Sequence, residues 1–190
     1  MNEATFVVGI SGGTCSGKST IARMLCENLS KRYKVAVINM DNYYKWGQMT
    51  TIAPITRVEY PEHNHPDAVD IEALLKDFNT AISDKLTDIV IIEGIFALYF
   101  DEIREKLDLK IFVDLKSDER LYRRIKRFVS HGQSLDEIAV RYLDTVRHRH
   151  DEFVEPTRWH ADIVLNGTLD ANIGVEVLTG YVSSLREQKS

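Results

Sequence analysis

Residues 12–19 read "GGTCSGKS", directly behind the apolar run "TFVVGIS" at 5–11. Gly12, Gly17, Lys18 and Ser19 fit the spacing G-x-x-x-x-G-K-[ST]. Glycines at those places let the backbone turn tightly enough for several N–H groups to face one anion. A helix starting near Lys18 adds its positive N-terminal end. Ile21, Ala22, Leu25, Cys26 and Leu29 share one face of that helix over 18–31. Strand, phosphate-cradling loop and helix in this order belong to a parallel α/β sheet. The whole loop, Gly12, Gly13, Thr14, Cys15, Ser16, Gly17, Lys18, Ser19 and Thr20, is therefore expected to hold a nucleoside triphosphate. Lys18 would reach the β- and γ-phosphates, and the Ser19 hydroxyl would sit on Mg²⁺.

The rest of the chain continues the alternation. Strands are predicted at 34–40, 88–94, 109–115 and 161–167, with 88–94 apolar on both faces as central parallel strands are. Helices are predicted over 70–83, over 118–130 and at the C-terminus. Another starts at "SLDE", a capping box with Ser134 as cap and Glu137 reaching back. Its apolar stripe is Leu135, Ile138, Tyr142, Val146 and Phe153, and Pro156 ends it. Residues 42–69 read as irregular. The expected fold is α/β: a P-loop NTPase-type parallel sheet sandwiched by helices, in one domain over 1–190, with a helical lid at about 118–141.

Composition narrows the function classes. A net charge of −5 argues against a general nucleic-acid binder. No apolar run approaches ~20 residues, so no membrane span is expected. The N-terminus lacks a basic stretch followed by an apolar one, so no signal peptide is expected and the cytoplasm is the predicted compartment. Cys15 and Cys26 are the two cysteines, read as free thiols in a reducing environment. A homo-oligomer stays open. "EHNH" and "RHRHD" invite a metal reading, but His148 and His150 are two apart on a helix and share no face.

In open parallel sheets, ligands bind outside the carboxyl ends of the strands. Asp41 ends the second predicted strand and Glu93 the third. Glu93 is expected to serve Mg²⁺. Asp41 is expected to accept or orient the proton of an attacking hydroxyl, with a secondary contribution to the metal. The helix "ERLYRRIKRF" places Arg120, Arg124 and Arg127 on one face, as a cationic lid would need.

Taken together, "GISGGTCSGKST", "MDNYY", "HPDAVD", "IIEGIFALY", "LKIFVDLKSDERLYRRIKR" and "FVEPTRWHADIVLNG" resemble the uridine kinase-like P-loop kinases. That group also contains nicotinamide riboside kinases and phosphoribulokinase. The resemblance covers nearly the whole chain. It implies transfer of the γ-phosphoryl of ATP to a sugar hydroxyl, with Asp41 as base and Ser19 and Glu93 on Mg²⁺. Arg124 and Arg127 resemble lid arginines that handle phosphates and, for Arg124, the acceptor. Tyr44 and the residues just before "HPDA" resemble the acceptor pocket, within about 42–69.

The chain departs from the family where the acceptor is read. Uridine kinases carry a long hairpin before the "EG" strand whose Tyr and His read the pyrimidine; here the helix ending near Ser83 runs almost directly into Asp88. His63 and Asn64 stand where the family has Phe-Asp, and Arg141 where it has Gln. Arg57, His63 and Arg141 suit a smaller or anionic acceptor. A nucleoside, nicotinamide riboside and a non-nucleoside metabolite all remain candidate acceptors. A regulatory or switch-type NTPase is the competing class, but the Asn-Lys-x-Asp guanine-reading motif of GTPase switches is absent. A nucleotide-binding module without catalysis is a third reading, opposed by the intact set Lys18, Ser19, Asp41 and Glu93.

Overall fold

The computed structural model describes residues 5–167 and 171–188. Five parallel strands form the main sheet: β1 (Phe6–Gly12), β2 (Val35–Asn39), β5 (Ile89–Glu93), β6 (Leu109–Asp114) and β7 (Ile163–Asn166). Their spatial order is β2-β5-β1-β6-β7, so β1 lies between β5 and β6. Ile10 pairs with Glu93, and Asn39 also pairs with Glu93. The register thus brings the glycine loop after β1, the residues after β2 and the end of β5 to one edge of the sheet.

The strand residues alternate between two cores. Phe6, Val8, Ile10, Ile89, Ile91 and Ile111 pack under α1 (Lys18–Leu29) and α7 (Asn172–Gln188). Val7, Ile38, Val90, Ile92 and Phe112 pack under α2 (Ile71–Ser83), the short α3 (Asp101–Arg104) and Val154. Strands β1 and β5 are buried along their whole length, which explains why they carry apolar residues on both faces. Asp70 caps α2 by accepting the Ala73 N–H. Among the described residues, no helix is long and apolar enough to cross a membrane.

Two expectations need correcting. Residues 42–69 are not wholly irregular: β3 (Thr50–Ile52) and β4 (Glu59–Pro61) form an antiparallel hairpin. Its strands are three residues long and carry no clean alternation, so the pattern is too short to read. Leu135 is not part of the apolar stripe of its helix; it is 56% exposed. The buried set after α4 (Ser117–Val129) and α5 (Leu135–Arg141) is instead Ile138, Tyr142, Val146, His150 and Val154.

That set repeats every fourth residue. In an α-helix of ~3.6 residues per turn, a four-residue repeat rotates about 40° around the axis at each step. The chain counters this drift with two wider turns, Tyr142–Val146 and His150–Val154, on either side of α6 (Arg147–Arg149). Their i→i+5 bonds are Arg147 N–H to Tyr142 O and Glu155 N–H to His150 O. The helix therefore keeps one face on the core down to Pro156, where a 3₁₀ turn begins.

His150 carries a pH dependence that follows from this packing. Burial and the Arg120 guanidinium push its pKa down to about 4. The Glu155 carboxylate 3.3 Å from Nε2 pulls the other way but is half-exposed, and burial wins. A histidine held neutral by folding stabilises the fold fully above its unfolded pKa near 6.5, and that contribution is lost as pH falls toward 4. Urea unfolding of wild type and His150→Gln should diverge less at pH 4.5 than at pH 7.5, by up to about 3 kcal/mol. Parallel pH profiles for the two proteins would contradict this.

Candidate active site

The loop after β1 has the backbone that its glycines permit. Gly12 sits at φ +147° and Gly17 at φ +105°, and Cys15 between them adopts φ +58°. A side chain at Gly12 would meet the Val113 carbonyl and the Ser16 hydroxyl. The loop is closed by Ser16 N–H donating to Gly13 O, and α1 opens with Ile21 N–H on Gly17 O. Ser19 and Thr20 are exposed at the start of α1, while Lys18 is buried.

Glu93 ends β5 inside this arrangement and is only 3% exposed. The Ser19 hydroxyl donates to its Oε2 at 3.1 Å. Burial raises the Glu93 pKa; the Lys18 and Arg127 cations and the Ser19 hydrogen bond oppose that, and the Asp41 charge adds to it. Lys18, Ser19, Asp41, Glu93 and Arg127 therefore act on one another. Asp41 is exposed on a 3₁₀ turn, Met40–Tyr43, two residues beyond β2. Asn39 holds that turn by accepting the Asp41 N–H at 2.8 Å. Gly94 is needed beneath it, because a side chain there would collide with Met40.

Helix α4 supplies the arginines, each in a different role. Arg120 is buried and donates to Leu115 O. Arg124 donates to the Thr14 hydroxyl at 3.1 Å and lies over the Phe128 ring at 4.7 Å. Arg127 is exposed. Arg123, which the sequence did not single out, donates to Gly167 O at 2.7 Å. A cleft of about 880 Å³ lies between loop and helix, lined by Cys15 and Gly17 to Thr20 on one side and Glu119, Tyr122, Arg123, Lys126 and Arg127 on the other.

A second group lies beyond Asp41. Tyr44 is pushed up by burial and by the charges of Asp41, Glu62 and Glu93. Its ring meets Trp46 edge-on at 5.8 Å, and Trp46 meets His63 at 4.5 Å. Burial and the Arg141 cation lower the His63 pKa, against the pull of Glu62. Arg141 donates to Pro61 O at 2.7 Å. Asn64 is half-buried, its N–H on Glu62 Oε1. Tyr44, His63, Asn64 and Arg141 are thus brought together. Arg57 is not: it is exposed on the turn of the hairpin, at φ +62°.

Two further residues escaped the sequence reading. Glu62 is 1% exposed and pairs with Arg149. Their partnership spans 87 residues, and "RHRHD" drew attention to its histidines, so no local signal marked the arginine.

A glycine-rich loop after the central strand β1, with acids at the end of β5 and just past β2, belongs to a P-loop phosphotransferase fold. The chain matches the Phosphoribulokinase / Uridine kinase family over residues 56–173. It is 32% identical over 209 aligned positions to the uridine kinase of Lactobacillus helveticus (strain DPC 4571), covering 98% of each chain. It is 33% identical to the uridine kinase of Staphylococcus aureus (strain JH9), covering 96% of this chain and 98% of the relative. The phosphoribulokinase of Rhodobacter spheroides shares the fold at TM-score 0.58 and 13% identity, over 85% of this chain and 69% of that one. The chain belongs to the Phosphoribulokinase / Uridine kinase family. It is a small-molecule kinase that uses ATP as phosphoryl donor and a hydroxyl as acceptor. The regulatory NTPase reading finds no support in these relationships.

The raised Glu93 pKa has a consequence for stability. A carboxyl whose pKa is raised by folding stabilises the fold below the free value of 4.5, and that contribution is lost as pH rises through the folded pKa. At pH 7, Glu93→Gln should therefore raise the urea midpoint of the ligand-free protein. The gain should vanish as pH falls toward 4. A lower midpoint at pH 7 would show that the charge of Glu93 is needed to hold Lys18.

Proposed function

We propose that the protein transfers the γ-phosphoryl of Mg·ATP to a ribose hydroxyl of a nucleoside, with little discrimination between bases. The observation that carries this reading is the position of Asp41. It stands exposed just past β2, beside the buried Glu93, which in turn meets Lys18 and Ser19 of the 12–20 loop. In this reading Asp41 is the base, Lys18 faces the β- and γ-phosphates, and the 12–20 loop binds ATP. Arg124 and Arg127, on a lid of about 118–141, meet the transferring phosphoryl and stabilise its charge. Tyr44, His63 and Asn64, within about 42–69, and Arg141 of α5 hold the acceptor.

The oxygen donors of Ser19, Glu93 and Asp41 fit Mg²⁺, a hard cation that prefers oxygen ligands. Held by these residues, the cation would supply positive charge against the negative charge that develops in phosphoryl transfer. The buried Glu93 and the exposed hydroxyl of Ser19 would hold it directly or through water.

Weak base discrimination is supported by what separates α2 from β5. Only residues 84–88 lie between them. In the uridine kinase-like pattern this is where the pyrimidine-reading hairpin stands. The L. helveticus alignment also runs over more positions than this chain has residues, so that relative carries segments with no counterpart here.

Two experiments test the reading. Asp41→Asn is nearly isosteric, so folding and ATP affinity should persist while acceptor-dependent ADP release falls by ~10²–10⁴. Transfer within a few-fold of wild type removes Asp41 from the base role. In an acceptor panel of uridine, cytidine, adenosine, guanosine and nicotinamide riboside, kcat/KM values should spread over less than about 10². A pyrimidine preference of ~10⁴ would mean that another segment hydrogen-bonds the base.

A further inference from the structure

The carboxylate of Glu62 lies next to the acceptor group yet is fully occupied by protein. Oε1 accepts the Asn64 N–H at 2.6 Å, and Oε2 accepts Arg149 Nε at 3.0 Å. Its backbone N–H donates to Met49 O, so the residue also closes the open end of the β3–β4 hairpin. Arg149 completes the link: Nη1 donates to Glu152 and Nη2 to the Thr51 hydroxyl of β3. A buried carboxylate is costly unless it is paired and hydrogen-bonded. Here pairing is achieved across two elements that the chain keeps far apart, the acceptor segment and the helix that follows the lid.

We propose that Glu62 is a positioning residue for the acceptor, locking His63 and Asn64 against the helix through Arg149. This rests on the reading that residues 42–64 hold the acceptor. The geometry accounts for the choice of a charged pair. Asn64 is fixed through its own N–H on Glu62, and the His63 ring next to it lies against the Trp46 ring at 4.5 Å. A neutral residue at 62 would lose its pull on the Arg149 cation and leave that guanidinium short of one partner. The loop carrying His63 and Asn64 would then sample other positions. ATP would not sense this, since the 12–20 loop lies on β1 and α1, which the pair does not touch.

The other polar links between the hairpin and this helix give an internal control. Asp144 is buried and accepts from the Thr56 hydroxyl at 2.7 Å and the Tyr60 hydroxyl at 2.9 Å. It ties down the hairpin turn and its second strand rather than the residues beside Tyr44. Loss of Asp144 should loosen the hairpin without unseating His63 and Asn64.

The test uses the full chain in a Trp159→Phe background, where Trp46 is the one remaining tryptophan. Trp159 is 89% exposed, so its replacement leaves the core intact. Glu62→Gln and Arg149→Gln are compared with Asp144→Asn by steady-state kinetics, with uridine as reference acceptor, and by the emission maximum of Trp46, which is 64% exposed but rests on the His63 ring. Both pair variants should raise the acceptor KM at least about tenfold, with the ATP KM within about twofold, and should shift the Trp46 emission as His63 moves away. Asp144→Asn should cost thermal stability with acceptor KM and emission near wild type. Arg149→Gln, on a half-buried side chain, keeps the proposal testable if Glu62→Gln fails to fold. The proposal is overturned if the pair variants leave acceptor KM and emission unchanged, or if Asp144→Asn reproduces their kinetic effect. His63→Ala separates the two layers. If it too leaves the acceptor KM unchanged, the acceptor binds elsewhere and the reading of residues 42–64 fails with it. If it alone raises the KM, only the role of Glu62 fails.

Discussion

A buried lysine and a buried carboxylate at the same sheet edge are the constraint around which this protein is arranged. Lys18 and Glu93 are both nearly closed off from water. Removing either charge from water is costly. Their attraction, the Ser19 hydroxyl and the nearby Arg127 offset part of that cost, and the raised Glu93 pKa shows that burial is not fully compensated. Such residual electrostatic tension is common where a site is preorganised for a charged ligand. In the proposed reading, a Mg²⁺–triphosphate would bring positive charge to Glu93 and negative charge to Lys18.

The sheet makes this encounter unavoidable. With β1 between β5 and β6, the loop after β1 and the end of β5 are neighbours whatever the side chains do. Because β2 lies on the far side of β5, Asp41 arrives beside Glu93 rather than beside the loop directly. The conformation of Gly12 and the contact of Gly94 with Met40 are local costs of bringing backbone and acids so close. The hydrophobic cores above and below the sheet hold the arrangement in place.

The side proposed to hold the acceptor is built differently. Its residues come from the segment around a small hairpin and from the helix that leads into two widened turns, joined by side-chain links rather than by a shared sheet. Those links are polar and partly exposed at Arg149 and Arg141, so this half of the molecule depends on a few specific pairs. A scaffold that fixes the phosphate end through backbone register and the acceptor end through side-chain pairs can change acceptor without disturbing the donor site.

The sequence by itself determined the parts governed by local rules. The glycine loop, the five strands, the capping box at Ser134 and the acids at the strand ends were legible because period, spacing and composition act over a few residues. Tertiary structure decided the rest. The hairpin at 50–61 has strands too short to show a period, and it exists because Asp144, Arg141 and Arg149 hold it. The stripe of the long helix was misassigned at Leu135, because its four-residue repeat holds one face only where the turns widen. Glu62 and Arg149 were invisible as a pair. Two charges 87 residues apart become partners only when folding buries Glu62 and brings Arg149 to its carboxylate.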